Sequence, residues 1–301
     1  MAVMGVSHSP HGSEGRRSRS RVAVALLASG LLILAAVWAV GLASGSFLVH
    51  VAYPLGFWLA SDGLLALAGF RPLVRWPGAA ARMVGVGAGL GLVLDFHMVG
   101  LLGILDLTAV TTPWLALAMY VGWGLSLPAV YSSYRLARHV LGWRGQAGRP
   151  SEPARVPAAL APALALVGLP LAELALFFSL WVNTVPGWLV APVFAGLWLL
   201  AEHVQARRGR PSLLGALLAR DFRPLLAMAL ASAPFALLWE GLAALMGSWR
   251  YLNIFWLEPR LAGVPPVAYF GYLCGYYVLF LAVYGAARSE GEAELPLYGP
   301  E

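Results

Sequence analysis

Eight stretches of this chain, at about residues 22–43, 47–70, 83–105, 112–131, 157–182, 187–205, 224–247 and 263–285, are apolar. Each is close to the roughly 20 residues that a helix needs to cross a bilayer. In lipid a backbone has no water to bond, so such a run must close its hydrogen bonds within itself, as a helix. The pattern covers most of the chain, and 60% of its 301 residues are hydrophobic, far outside the range of an ordinary soluble domain. The expected fold is therefore all-α: a polytopic membrane helix bundle of about eight transmembrane helices, with short loops. The run at 22–43 follows a basic stretch, as a signal peptide would, but it is longer than a typical apolar signal core and reads as an uncleaved first helix.

The net charge of +6 rests on arginine alone, since there is no lysine. With residue 1 placed in the cytoplasm, eighteen of the twenty arginines fall in cytoplasmic segments, and only Arg250 and Arg260 fall outside. A bias of this kind sets membrane orientation, so a cell-membrane protein with both termini cytoplasmic is expected. The same bias accounts for the basic charge without any nucleic acid. The single cysteine, Cys274, cannot form an intrachain disulfide.

An internal repeat is expected. Phe57-Trp58-Leu59-Ala60-Ser61-Asp62 followed by Gly69-Phe70-Arg71-Pro72-Leu73 resembles Leu197-Trp198-Leu199-Leu200-Ala201-Glu202 followed by Gly209-Arg210-Pro211-Ser212-Leu213. Gly91 through Asp95 parallels Ala236 through Glu240. Both four-helix units start on one side, which makes a parallel 4 + 4 arrangement. The organisation read from this is a disordered tail at 1–21, a first repeat at 22–139, a linker at 140–156, a second repeat at 157–287 and a solvated acidic tail at 288–301.

Five carboxylates lie in or near apolar helices: Asp62, Asp95, Glu173, Glu202 and Glu240. Even lenient insertion scales charge about 2.5–3.5 kcal/mol for such a group at the bilayer centre. Asp95, Glu173 and Glu240 form a central set of catalytic candidates. A carboxylic acid there can protonate an alkene or hydroxyl of a lipid-soluble substrate, and a second can remove a proton. The alternative is that these acids only hydrogen-bond between helices. Asp62 and Glu202, with Arg210, form a second polar layer toward the cytoplasmic ends, expected as interfacial ion pairs.

Aromatic side chains surround the central set. Trp239, Trp249, Tyr251, Tyr269, Tyr272 and His97 are candidate substrate-binding residues, and tryptophan and tyrosine faces can stabilise a carbocation. The plainer reading is an interfacial aromatic belt. Nine residues separate Glu240 from Trp249, so contact between them requires the chain to turn back after Gly247. His97 lies two residues from Asp95, a spacing that does not share a helix face. No HxxxH, ExxH or DDxxD spacing occurs, so no metal and no other cofactor is expected.

Glu240, then Gly247-Ser248-Trp249-Arg250-Tyr251, then Leu261-Ala262-Gly263-Val264-Pro265, resembles the E…G-x-W-x-Y…L-x-G-[VI]-P pattern of membrane-integral carotenoid-pathway proteins, the transmembrane lycopene cyclases and carotenoid hydratases. The resemblance covers residues 187–285 well and 47–131 poorly. It implies repeated helix units, a metal-free isoprenoid pocket and protonation chemistry. Where those cyclases carry a Pro-x-Glu-Glu pair after the aromatic turn, this chain reads Gly263-Val264-Pro265-Pro266-Val267, with no acid. The function expected is a membrane enzyme of cyclase, hydratase or isomerase type acting on an isoprenoid or other lipid. A transporter, lipid-binding scaffold or assembly factor is the alternative. The expected partners are the bilayer and an apolar lipid substrate, with room left for a homo-oligomer.

Overall fold

A computed structural model describes residues 11–107, 109–142, 154–289, 295, 297 and 298. The chain runs through α1 (His11–Ser44), α2 (Val49–Leu67), α3 (Pro77–Asp95), α4 (Pro113–Val140), α5 (Ala161–Ala172), α6 (Leu174–Ser179), α7 (Val190–Arg207), α8 (Leu213–Leu218), α9 (Arg223–Met246), α10 (Pro266–Gly271) and α11 (Tyr277–Ala287). Two short strands, β1 (Leu105–Asp106) and β2 (Arg250–Tyr251), pair antiparallel, with Leu105 opposite Tyr251. The fold is an all-α helix bundle. Helices α3, α4, α9 and α10 begin with proline in the first turn, where the missing N–H leaves no helical bond unmade.

Six helical stretches are long and apolar enough to cross a membrane: Ser20–Ser44, Pro77–Leu101, Pro113–Val140, Ala158–Ser179, Gly187–Arg207 and Arg223–Met246. Eight were expected. The second apolar segment forms α2, where His50, Pro54 and Asp62 dilute the hydropathy. The eighth is divided into α10, a π-helical turn at Tyr272–Tyr276 and α11. The fifth breaks at Glu173 between α5 and α6, one turn after Pro170 has removed a backbone donor from α5.

Backbones approach closely where glycines face each other. A Cβ on Gly30 of α1 would collide with the Ala60 backbone of α2 and lie 2.7 Å from the Gly56 carbonyl. On α7, a Cβ at Gly196 would collide with the Ala172 backbone and lie 2.6 Å from the Gly168 carbonyl of α5. Small residues at helix seams allow this packing in an apolar medium. Between these two hairpins, α4 packs on α2, α3 and α9, and α11 packs on α7.

Guanidinium groups close the carbonyls at one end of the bundle. Arg135 of α4 donates to the Arg71 carbonyl at 2.9 Å, Arg210 donates to the Gly285 carbonyl at 3.1 Å, and Arg208 donates to that of Ala286. Basic side chains suit helix C-termini, whose last carbonyls lack partners.

Two expectations at the termini are corrected. Residues 11–21, expected to be disordered, are helical, because α1 begins at His11. Extending an existing helix through arginine and serine costs little once a long apolar segment has nucleated it. The acidic tail is not simply solvated. Leu295, Leu297 and Tyr298 are buried against the main core, and Tyr134 donates to the Leu297 carbonyl. Residues 1–10 of the tail and 143–153 of the expected linker lie outside the described residues.

Candidate functional site

Glu240 is fully buried on α9. The helix stops seven residues later at Gly247, whose φ of +64° is the left-handed conformation that glycine adopts without steric cost. The Ser248 N–H bonds back to the Ala243 carbonyl at 3.0 Å, and the chain reverses. This reversal carries Trp249 to Glu240, where the indole Nε1 donates to Oε2 at 3.3 Å. Pairing with β1 then holds Tyr251 beside Glu240. The π-helical turn supplies the second donor, with Tyr272 Oη 2.6 Å from Oε1. Burial of its hydroxyl end, reinforced by the Glu240 charge, pushes the Tyr251 phenol well above its ordinary value. It therefore stays protonated and remains a donor.

Asp95 is the last residue of α3 and is buried. Its Oδ2 is buried with no hydrogen-bond partner in the structure, and the Trp123 indole of α4 lies near it. His50, on α2, completes the group. Its Nε2 lies 2.7 Å from Ser248 Oγ, and its ring packs 4.7 Å from Trp249 and 5.0 Å from Trp239. Asp95, Glu240, His50, Trp239, Trp249 and Tyr272 line one internal cavity of about 30 Å³, together with Tyr251 and Tyr276. A water needs roughly 10–15 Å³ by this measure, so the cavity has room for one or two. Two acids from the two halves of the chain thus face one small polar chamber with aromatic walls.

The other expected residues lie elsewhere. Glu173 is exposed at the break between α5 and α6 and does not reach the chamber. His97 bonds the Val93 carbonyl through Nδ1, and Tyr269 donates to the Leu261 carbonyl at 3.3 Å. Neither lines the cavity. Trp256 is 74% exposed, whereas Trp249 is turned inward onto Glu240. His50, Trp123 and Tyr276 were missed as site residues. No local spacing in the sequence links them to Glu240, and they arrive through packing of α2, α4 and the π-helical turn.

The second polar layer has a different construction from the one expected. Asp62 accepts from Trp58 Nε1 at 3.2 Å, from the Val74 N–H at 2.9 Å and from Ser132 Oγ at 2.7 Å. Glu202 accepts from Trp198 Nε1 at 3.0 Å and from the Leu214 N–H at 3.2 Å. In each case a tryptophan four residues back and a backbone N–H twelve residues on converge on the carboxylate. These acids pin the segment that follows α2 or α7, instead of pairing with Arg71 or Arg210. Arg71 lies 4.3 Å over the Trp76 ring, and Arg210 bonds carbonyls at the end of α11. Among the described residues, no three His, Cys, Asp or Glu side chains gather to hold a metal ion.

Comparison with protein-family models, with characterised proteins and with solved structures finds no match to this chain.

Proposed function

We propose that this chain is an integral membrane enzyme that moves protons on an isoprenoid or similar apolar lipid, with Asp95 and Glu240 as its acid–base pair. The observation that carries this reading is the shared chamber: both carboxyl groups line one cavity. Their surroundings divide the work. Glu240 already accepts from Tyr272 and Trp249, which makes it a fixed acceptor. Asp95 keeps one oxygen without a partner and is the group placed to exchange a proton with whatever enters. Protonating a C=C bond leaves a carbocation, which the faces of Trp249 and Trp239 can stabilise. Loss of a different proton to the second carboxylate then yields an isomer or a ring, and capture by a chamber water yields an alcohol. These are isomerase, cyclase and hydratase outcomes of one proton-transfer apparatus.

A parallel 4 + 4 repeat supports the same reading. Asp62 and Glu202 have matching partners at matching spacing, the α1–α2 and α5–α7 hairpins both close on glycines, and β1 and β2 come from equivalent stages of the two units. The proposed orientation, in a cell membrane with both termini cytoplasmic, is supported by the arginines gathered at one end.

The test is co-expression with a panel of polyene and polyprenyl precursors, followed by product analysis. Asp95→Asn and Glu240→Gln should each lower product formation at least about 100-fold, the lower bound for losing a positioned acid or base. The absence of any product from wild type across the panel would sink the enzymatic reading. The repeat also favours a second reading as a proton-coupled lipid transporter; lipid flux that follows a proton gradient and disappears in Asp95→Asn would establish it instead.

A further inference from the structure

A second cavity lies against the chamber, and it differs in every respect. It measures about 320 Å³ and runs between α7, α10 and the segment after β2, with Phe194, Ile254, Val267 and Gly271 among its walls. No charged side chain lines it. Two of its lining residues, Phe255 and Phe270, are 37% and 63% exposed, so the groove opens on the outer surface of the bundle, beside a helix apolar enough to cross a membrane. At its inner end it shares Tyr251 and Tyr276 with the acid chamber.

We infer that this groove is the lateral port for the hydrocarbon chain of a membrane lipid, and that Tyr251 and Tyr276 form the partition through which the reacting end of that chain reaches Asp95 and Glu240. The inference rests on the proposed function and specifies its substrate. The chamber alone has room for a water or two, so a lipid must reach it from an adjoining space. The groove is at the lower end of the range of about 300–1,000 Å³ for small-ligand sites. It therefore takes a segment of a long chain, while the rest stays in the bilayer. With no cationic or anionic side chain along its walls, it admits an uncharged end. The substrate class is a long-chain lipid whose reactive double bond or hydroxyl lies near the apolar end that enters first.

The partition is built to move on one side only. Tyr251 is held in the β1–β2 ladder, opposite Leu105. The Tyr276 hydroxyl bonds the thioether of Met98 at 2.7 Å, and thioether sulfur is a weak acceptor. Tyr276 belongs to the π-helical turn Tyr272–Tyr276, and Met98 belongs to a second one at Phe96–Leu101. Such turns recur at functional sites because they re-aim side chains within a helix. Here one turn aims Tyr272 at Glu240 and sets Tyr276 between the two cavities.

The experiment uses the full-length protein in detergent micelles and a geranylgeraniol analogue with a diazirine on its terminal isoprene unit. Photolysis followed by peptide mapping should place adducts on α7 near Phe194 and on α10 near Gly271. A Cβ at Gly271 meets nothing within 4 Å, so Gly271→Trp should fill the groove without a backbone clash. It should reduce labelling at least about tenfold, equivalent to displacing two methylene groups at about 0.8 kcal/mol each. Ala195→Phe, from the α7 wall, gives a second block if the first variant does not fold. Label spread evenly over the apolar helices, or undiminished in both blocked variants, would overturn the inference. Groove labelling without product from any precursor would uphold the port and remove the acid–base reading. Product formation with both blocked variants fully active would do the reverse.

Discussion

Two buried carboxyl groups of similar sequence context carry different loads. Glu240 is the acceptor for two aromatic donors, Trp249 and Tyr272, so changing one of its oxygens to an amide NH2 sets donor against donor. An unsatisfied buried donor costs about 1–3 kcal/mol, and Glu240→Gln should lower stability by that amount in a detergent denaturation curve. Asp95 has an oxygen with no partner, which an amide NH2 can replace without breaking a hydrogen bond. Asp95→Asn should therefore shift stability by less than about 1 kcal/mol while removing activity. Equal destabilisation by both changes would mean that Asp95 carries a structural load like that of Glu240. The sequence makes this pair visible because each is a lone acid within an apolar run. It shows Trp249 as well, since a glycine at the right distance permits the reversal. It does not show His50, whose partner Ser248 is 198 residues away, nor the exposure of Glu173, because helix rotation about its axis is decided by neighbours.

At the scale of elements, the site depends on where helices stop. Gly247 ends α9 in the left-handed region, and only that reversal brings the Trp249 indole to Glu240. A residue with a Cβ pays about 1–2 kcal/mol to hold this conformation. Gly247→Ala should lower the thermal midpoint accordingly and weaken activity through a displaced Trp249, whereas Gly247→Asn, a residue that tolerates the region, should recover much of both. Equal loss in Ala and Asn variants would point to a clash at Gly247 and away from its dihedral angle. Helices that begin at proline or end at glycine are legible from sequence. The two π-helical turns, Phe96–Leu101 and Tyr272–Tyr276, are not, because no residue type in them marks the extra residue per turn.

For the whole molecule, the apolar runs and the arginine distribution were enough to anticipate a helical bundle, but the number of bilayer crossings depends on α2 and on the divided last segment. If α2 and the α10–α11 pair complete two four-helix units, residues 256 and 289 lie on opposite sides of the membrane. Trp256 sits in the exposed loop after β2, and Ser289 follows α11 at the arginine-rich end. The chain has one cysteine, so Cys274→Ser gives a cysteine-free background. In intact cells, a membrane-impermeant maleimide should label Trp256→Cys and spare Ser289→Cys until the membrane is opened, if the arginine-rich end faces the cytoplasm as proposed. Labelling of both from outside would require an even number of crossings between them, and the second unit would then lack the fourth crossing of the first. Labelling of Ser289→Cys alone would invert the bundle. Either result would detach the paired acids from the orientation proposed for them, whereas the expected one places the Glu240 end of α9 in the outer half of the bilayer, where the groove beside Phe255 and Phe270 meets the lipid.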